Sequence, residues 1–133
     1  MFKLILVVAA FAATAGAQAL DFDMYRTKVE PIFLKKRPTH ARCVVCHENA
    51  GGRLFRLEAR TAGAAEWTEE QSRKNFATVS KLVKPGEPMG SLLLRQPLAH
   101  DAGGMEFHSG GRQFGTQSDP DWKTISDWVK SAK

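Results

Sequence analysis

The chain has 133 residues with a formal net charge of +5, and 43% of its residues are hydrophobic while 25% are charged. This length suits one modest domain and is too short for two, and the composition is ordinary for a globular protein. The mild basic excess contains no run of about five like charges, which argues against a nucleic-acid-binding arm. We therefore expect no nucleic acid among the partners.

The N-terminus has the three parts of a secretory signal peptide. Lys3 provides a basic start, an apolar run covers residues 4–13, and small residues spaced Ala-x-Ala end at Ala17 and again at Ala19. These features predict a signal peptide over residues 1–19, with cleavage after either alanine. They also predict an exported, periplasmic location for the remainder of the chain.

An uncleaved N-terminal membrane anchor is the alternative interpretation of this segment. Crossing a bilayer takes roughly 20 apolar residues, and the apolar character of this segment is broken at Gly16 and Gln18. Cleavage is therefore favoured, and residues 20–133 are expected to form one mature domain.

Two helices are predicted in the first two thirds of the mature chain. In residues 21–35, apolar side chains recur at helical spacing, and Pro31 is expected to kink or reset the helix. A second helix is predicted to begin at Thr68, which can form a capping box with Gln71, and to be stopped by Pro85. Its predicted apolar face contains Phe76, Val79, Leu82 and Val83.

The C-terminal third combines a glycine-rich loop with a final helix. Residues 91–95 predict a short helix, and residues 98–118 contain five glycines and show no helical or strand period. The last helix is predicted to be capped by Ser118 or Asp119. Its predicted buried face contains Trp122, Ile125, Trp128 and Val129. No segment alternates as a strand does, so the predicted fold class is mainly α, a small helical domain with long loops.

The most specific feature of the chain is the Cys-Val-Val-Cys-His run at residues 43–47. Cys-x-x-Cys-His is the attachment sequence of haem c. Two residues between Cys43 and Cys46 let both sulfurs reach the two vinyl groups of one haem, which lie on neighbouring pyrrole rings. His47 follows immediately and is then held beneath the iron as the proximal ligand. The sequence therefore predicts one covalent haem c.

Three other uses of the cysteines fit the sequence less well. A thioredoxin-type redox pair would precede a regular amphipathic helix, whereas Gly51 and Gly52 follow here within a few residues. A structural zinc site needs four ligands, and the sequence has no second cysteine pair. A disulfide across so short a span is sterically awkward, so we expect none.

A second iron ligand must come from the histidines and methionines outside this run. His40 lies too few residues before Cys43 to reach the far face of the haem. His100, between an alanine and an aspartate, is expected to be an exposed polar residue.

His108 is favoured as the distal iron ligand. It lies in the glycine-rich loop, and Gly110 and Gly111 directly after it let the backbone approach a porphyrin closely. Met105, in the same loop, and Met89, in a turn before the short helix, are the alternative distal ligands.

Several stretches of the sequence together resemble a bacterial c-type cytochrome domain. They are residues 29–33, 43–47, 83–88, 91–93 and 122–129. The chain is similar to the planctomycete-type cytochrome c domains, within the wider class I cytochrome c fold, over most of its mature length. This resemblance implies a helical domain wrapped around one haem, with the first and last helices packed together.

The chain departs from that family on the distal side. Members commonly present a Met-Pro-Pro segment there, but no methionine of this sequence is followed by proline. Residues 107–111 stand where that segment would be expected, which is a second reason to prefer His108.

These features predict a periplasmic monohaem cytochrome that transfers single electrons, and not an enzyme, because no nucleophile motif accompanies the haem motif. Its expected partners are redox proteins or a larger membrane-associated electron-transfer complex. The alternative is a five-coordinate haem protein acting as a ligand sensor or a peroxidase-like enzyme, in which none of His108, Met105 or Met89 binds the iron. A third class is an interaction domain without haem, in which the cysteines are incidental.

Overall fold

A computed structural model describes residues 18–48 and 53–133 of the chain. The predicted signal peptide therefore lies almost entirely outside the described residues, as do Gly51 and Gly52. The described part is mainly helical, in agreement with the predicted fold class. Its helical segments are α1 (Phe22–Met24), a π-helical turn (Tyr25–Val29), α2 (Glu30–Leu34), α3 (Cys43–His47), α4 (Glu69–Ser80), a 3-10 turn (Pro88–Gly90), α5 (Leu92–Arg95), a second 3-10 turn (His100–Ala102) and α6 (Pro120–Lys130).

The β structure within the two described ranges is limited to isolated bridges. They join Arg37 to His40, Glu48 to Leu57, and Leu98 to Phe114. In the same ranges, no helix has both the length and the apolar character needed to cross a membrane.

The first helical stretch changes type without breaking. Asp21 caps α1, since its carboxylate accepts a hydrogen bond from the backbone N–H of Met24 at 2.7 Å. The N–H of Glu30 then bonds to the carbonyl of Tyr25, five residues back, which widens the turn directly before Pro31. Proline has no N–H to donate and crowds the preceding turn. The π turn therefore accommodates Pro31, whereas a kink or reset of the helix was predicted.

Helix α4 begins where predicted but ends earlier. The hydroxyl of Thr68 accepts from the N–H of Gln71 at 3.3 Å, and the Gln71 side chain accepts from the N–H of Thr68 at 3.0 Å, which completes the predicted capping box. The helix ends before Leu82, so the prediction that Leu82 and Val83 belong to its apolar face is wrong. The carbonyl of Leu82 instead accepts from the N–H of Leu93 at 3.1 Å, which ties the chain after α4 to α5.

Thr68→Ala is expected to lower the free energy of unfolding by about 1 kcal/mol, the usual cost of removing a threonine N-cap. The N–H of Gln71 would lose its acceptor in the first turn of α4. Chemical denaturation of the purified protein measures the change. Thr78→Ala makes the same truncation inside the same helix and is expected to change stability by less than about 0.5 kcal/mol. Equal losses in the two variants would contradict the capping role.

Helix α6 packs against the N-terminal helical stretch. Asp119 caps it, as predicted, and Pro120 occupies its first position. The indole of Trp128 is fully buried against Tyr25, with ring centroids 5.5 Å apart, and its Nε1–H donates to the carbonyl of Asp21 at 2.8 Å. All residues of the predicted buried face are at most 5% exposed, which confirms that prediction: Trp122, Ile125, Trp128 and Val129.

The boundary between the predicted signal peptide and the mature domain meets the C-terminal residue, in agreement with the expected packing of the first and last helices. The N–H of Ala19 donates to the carbonyl of Lys133 at 2.7 Å, and the N–H of Lys133 donates back to Ala19 at 3.2 Å. Helix α3 is not part of this contact between the two ends, and it lines a cavity.

The glycine-rich loop is held at two points by the backbone beside α5. The N–H of Met105 donates to the carbonyl of Arg95 at 3.0 Å, and the N–H of Gln113 donates to the carbonyl of Pro97 at 2.8 Å. These two hydrogen bonds fix the chain at both ends of residues 106–112, which we call the distal loop.

Candidate haem-binding site

A cavity of about 440 Å³ lies beside α3. This volume is within the usual range for cofactor and ligand sites, about 300–1,000 Å³. Helix α3 contributes Cys43, Cys46 and His47 to the cavity wall, and the distal loop contributes His108. The rest of the wall is mostly apolar and includes Ile32, Phe33, Leu82, Leu93, Phe114 and Ile125.

The two cysteines and His47 reach the cavity together because α3 is a single helical turn. Residues three and four apart on a helix share a face, and this relation holds for Cys43 with Cys46 and with His47. Val44, 3% exposed, anchors the same turn in the core. Both thiols are half-buried, and no disulfide joins them.

The environment of Cys43 does not suit a thiol–disulfide enzyme. Burial raises the pKa of the Cys43 thiol to about 11. A redox-active Cys-x-x-Cys pair depends on a lowered pKa, which supplies a reactive thiolate near neutral pH. Helix α3 thus presents a neutral Cys43 thiol to the cavity.

His47 is held in one orientation by the segment that follows α3. Its Nδ1 bonds to the carbonyl of Phe55 at 2.7 Å, and the two rings pack with centroids 4.4 Å apart. Burial lowers the pKa of the imidazole, although the bond to Phe55 acts in the opposite direction, so the neutral ring is favoured. Because a carbonyl can only accept, Nδ1 carries the proton and Nε2 keeps its lone pair for a metal.

His108 is oriented in the same way by its own loop. Its Nδ1 bonds to the carbonyl of Gly111 at 2.7 Å, and the N–H of Gly111 donates to the carbonyl of His108 at 2.9 Å. Gly111 has φ of +80°, a left-handed conformation that glycine adopts without steric cost. Nε2 is therefore the nitrogen of this ring that remains for a metal.

The separation of the two imidazole rings is compatible with one metal ion between them. The ring centroids of His47 and His108 lie 6.3 Å apart, and the ring planes are within 13° of each other. Two imidazoles on opposite sides of one ion have centroids about 6 Å apart, since each metal–nitrogen bond is about 2 Å and each ring centre lies about 1 Å beyond its nitrogen. The residues present fit a haem iron held between them.

No cluster of three or more His, Cys, Asp or Glu side chains within residues 18–48 and 53–133 could hold an ion by itself. Haem iron does not need one, because the porphyrin provides four ligands and the protein adds one or two axial ligands. Two histidines are a number of protein ligands that haem iron can use, whereas a structural zinc ion takes four.

Neither of the two methionines considered as distal ligands is among the described residues that line the cavity. Met89 is 36% exposed and packs beside Gly103. Met105 comes before the distal loop, with its backbone tied to α5. His100 is exposed, as predicted.

The carbonyls that orient the two imidazoles were not predicted from the sequence. They belong to Phe55 and Gly111. Every residue has a backbone carbonyl, so residue type carries no signal for this role. The glycine pair after His108 indicated a special backbone there, and nothing comparable marks Phe55.

Comparisons of the chain with protein-family models, curated proteins and solved structures return no match. The resemblance to planctomycete-type cytochrome c domains therefore stays a prediction from the sequence. The residues and distances of the cavity are the basis on which a function can be assigned.

Proposed function

We propose that this protein is a monohaem c-type cytochrome that transfers single electrons between redox partners. Cys43 and Cys46 would hold one haem c through thioether bonds, with His47 as the proximal and His108 as the distal iron ligand. The observation that carries the proposal is the 6.3 Å separation of the two imidazoles beside the cavity that both cysteines line.

The residues of the cavity would give the haem a fixed, dry environment. When bound, the haem supplies an iron that gains or loses one electron. Backbone carbonyls hold both imidazoles by Nδ1, so the ligands are oriented before any change of oxidation state. The apolar wall keeps water away from the cofactor. Such a site supports electron transfer and needs no catalytic acid, base or nucleophile.

An exported location and a protein partner are part of the same proposal. The N-terminal sequence predicts secretion, and haem c is assembled outside the cytoplasm. Leu54, which lines the cavity, is 77% exposed, and Phe107, next to His108, is 78% exposed. Exposed apolar side chains at a site commonly mark a protein contact, which supports docking of a redox protein or of a membrane-associated electron-transfer complex.

A five-coordinate haem protein, either a ligand sensor or a peroxidase-like enzyme, is the second candidate. The observation that favours it is the local attachment of His108, whose ring bonds only to Gly111 of its own loop within the described part of the chain. A ring held in this way can leave the iron together with the distal loop. High-spin ferric haem that binds carbon monoxide rapidly on reduction would identify this class.

Mass spectrometry of the protein made with haem c maturation machinery tests the proposal. The mass is expected to equal that of the mature chain plus one haem. The absorption spectra should show low-spin haem in both oxidation states. Cys43→Ala or Cys46→Ala should leave one thioether bond or none, and a poorly folded chain, because the haem is the centre of a small core. A mass equal to the bare mature chain would overturn the proposal and favour an interaction domain without haem.

A further inference from the structure

Glu30 carries a carboxyl group inside the helical core, where it is 5% exposed. One oxygen accepts from the hydroxyl of Tyr25 at 3.2 Å and from Nδ2 of Asn75 at 3.1 Å. The other accepts from the hydroxyl of Ser72 at 2.6 Å. All three partners are neutral, and no Lys, Arg or His of the described residues forms an ion pair with Glu30.

The hydrogen bonds around Glu30 suit a buried anion. Burying a charge is costly unless several donors replace the lost water. Three donors around one carboxyl group match its ionised form, which accepts hydrogen bonds and donates none. Burial, and then the neighbouring Glu30, raise the pKa of Tyr25, so its phenol remains a donor.

Glu30 also lies close to the proposed haem cavity. Phe33 follows it by one turn on α2 and lines the cavity wall, and residues at this spacing have Cβ atoms about 5–6 Å apart. The ring of Phe33 packs on that of Phe55 with centroids 5.1 Å apart, and Phe55 packs in turn on His47.

A side-chain amide connects Glu30 to the segment that orients His47. Asn75 donates to Glu30 through Nδ2 and accepts from the N–H of Glu58 through Oδ1 at 2.8 Å. The same segment, residues 55–58, supplies the hydrogen bond to Nδ1 of His47 at 2.7 Å and one to its carbonyl at 2.8 Å. The carboxylate is therefore held rigidly relative to the proximal ligand.

We propose that Glu30 is a buried anion that lowers the reduction potential of the haem. This inference rests on the proposed cytochrome function. A negative charge in the protein interior stabilises the oxidised, more positive form of a redox centre more than the reduced form, and the interior screens this interaction less than water does. The donors around Glu30 stabilise the charge without cancelling it, because none of them is a cation.

Glu30→Gln is expected to raise the equilibrium constant for one-electron reduction about tenfold, which corresponds to about 59 mV. This is the effect of removing a unit charge on the order of 10 Å away at an effective dielectric constant of about 20. Glutamine keeps the shape, because it can accept from Tyr25 and Asn75 and donate to Ser72. Potentiometric titration of the haem-loaded protein with mediator dyes measures the midpoint.

Two controls separate charge from packing. Val79→Ala truncates a fully buried side chain of α4 and keeps Glu30 with its three donors, and Glu69→Gln removes an exposed carboxylate from α4. Both are expected to change the reduction constant less than twofold. Glu30→Met, of similar length and without charge, is a second variant with the expected tenfold rise, measured on its folded, haem-loaded form because Tyr25, Ser72 and Asn75 lose their acceptor.

An unchanged midpoint in a low-spin, haem-loaded Glu30→Gln or Glu30→Met protein would overturn the inference. A shift in Val79→Ala as large as that in Glu30→Gln would also overturn it, because the midpoint would then follow packing. The haem mass is measured first. A wild-type chain without haem overturns both proposals, whereas a haem-loaded chain whose midpoint does not respond to Glu30 overturns only this one.

Discussion

Replacing His108 with alanine is expected to convert a low-spin haem into a high-spin haem that binds added imidazole. The reason is the position of its ring, 6.3 Å from the ring of His47, with Nδ1 tied to Gly111 and Nε2 left for the metal. Removal of this imidazole opens one face of the iron, since His47 is the one other histidine, and no methionine is present, among the described residues that line the cavity. The absorption spectrum of the purified variant measures the change directly.

The matched variants are Met89→Ala and Met105→Ala, which remove the other two candidate ligands. Both are expected to stay low-spin, and the wild type should lack the weak sulfur-to-iron band near the red end of the ferric spectrum. Two imidazoles favour ferric iron more than an imidazole and a thioether do, so the midpoint should lie in the lower part of the cytochrome c range. A low-spin His108→Ala protein, together with a high-spin methionine variant, would establish His/Met ligation instead.

Trp128→Ala is expected to lower the free energy of unfolding by about 3–5 kcal/mol, the range for truncating a large buried aromatic side chain. The indole is fully buried, packs on Tyr25 and Phe76, and donates to the carbonyl of Asp21. Its removal would leave a cavity where α6 meets the N-terminal helices, and a backbone carbonyl without its donor. Denaturant unfolding of the haem-loaded protein measures the loss.

Trp128→Phe separates the two contributions to this contact. It keeps most of the aromatic packing and removes the indole N–H, so a loss of about 1 kcal/mol is expected for the single hydrogen bond. An unchanged melting temperature in Trp128→Ala would show that α6 does not dock on the N-terminal helices.

The parts of the fold that were predictable from the sequence depend on local signals. The capping box at Thr68, the cap at Asp119 and the spacing of the α6 face all act within a few residues. The end of α4 was placed too late because it depends on Leu93, which takes the carbonyl of Leu82 from outside the helix. The burial of Glu30 likewise depends on donors from α4, more than 40 residues away.

The residues of the candidate site also differ in whether a local motif or a distant contact sets their position. Cys43, Cys46 and His47 share one helical turn, so the motif alone indicates their joint orientation. The position of His108 opposite His47 depends on where the backbone beside α5 holds the two ends of the distal loop, which no local pattern encodes. The segment 55–58 has no motif, although it orients the proximal imidazole and receives the amide of Asn75.

The π turn at Tyr25–Val29 sets how α1 is rotated about the helix axis relative to α2. Each residue of an α-helix advances about 100° around the axis, and a π turn contains one residue more than an α turn does. If the same number of residues formed a plain α-helix, the preceding segment would be rotated by about 100°. Phe22 would then leave the ring of Phe76, which it meets at 5.4 Å, and the carbonyl of Asp21 would leave the indole of Trp128. The π turn therefore keeps these two contacts in place with one residue more than a plain α-helix would need.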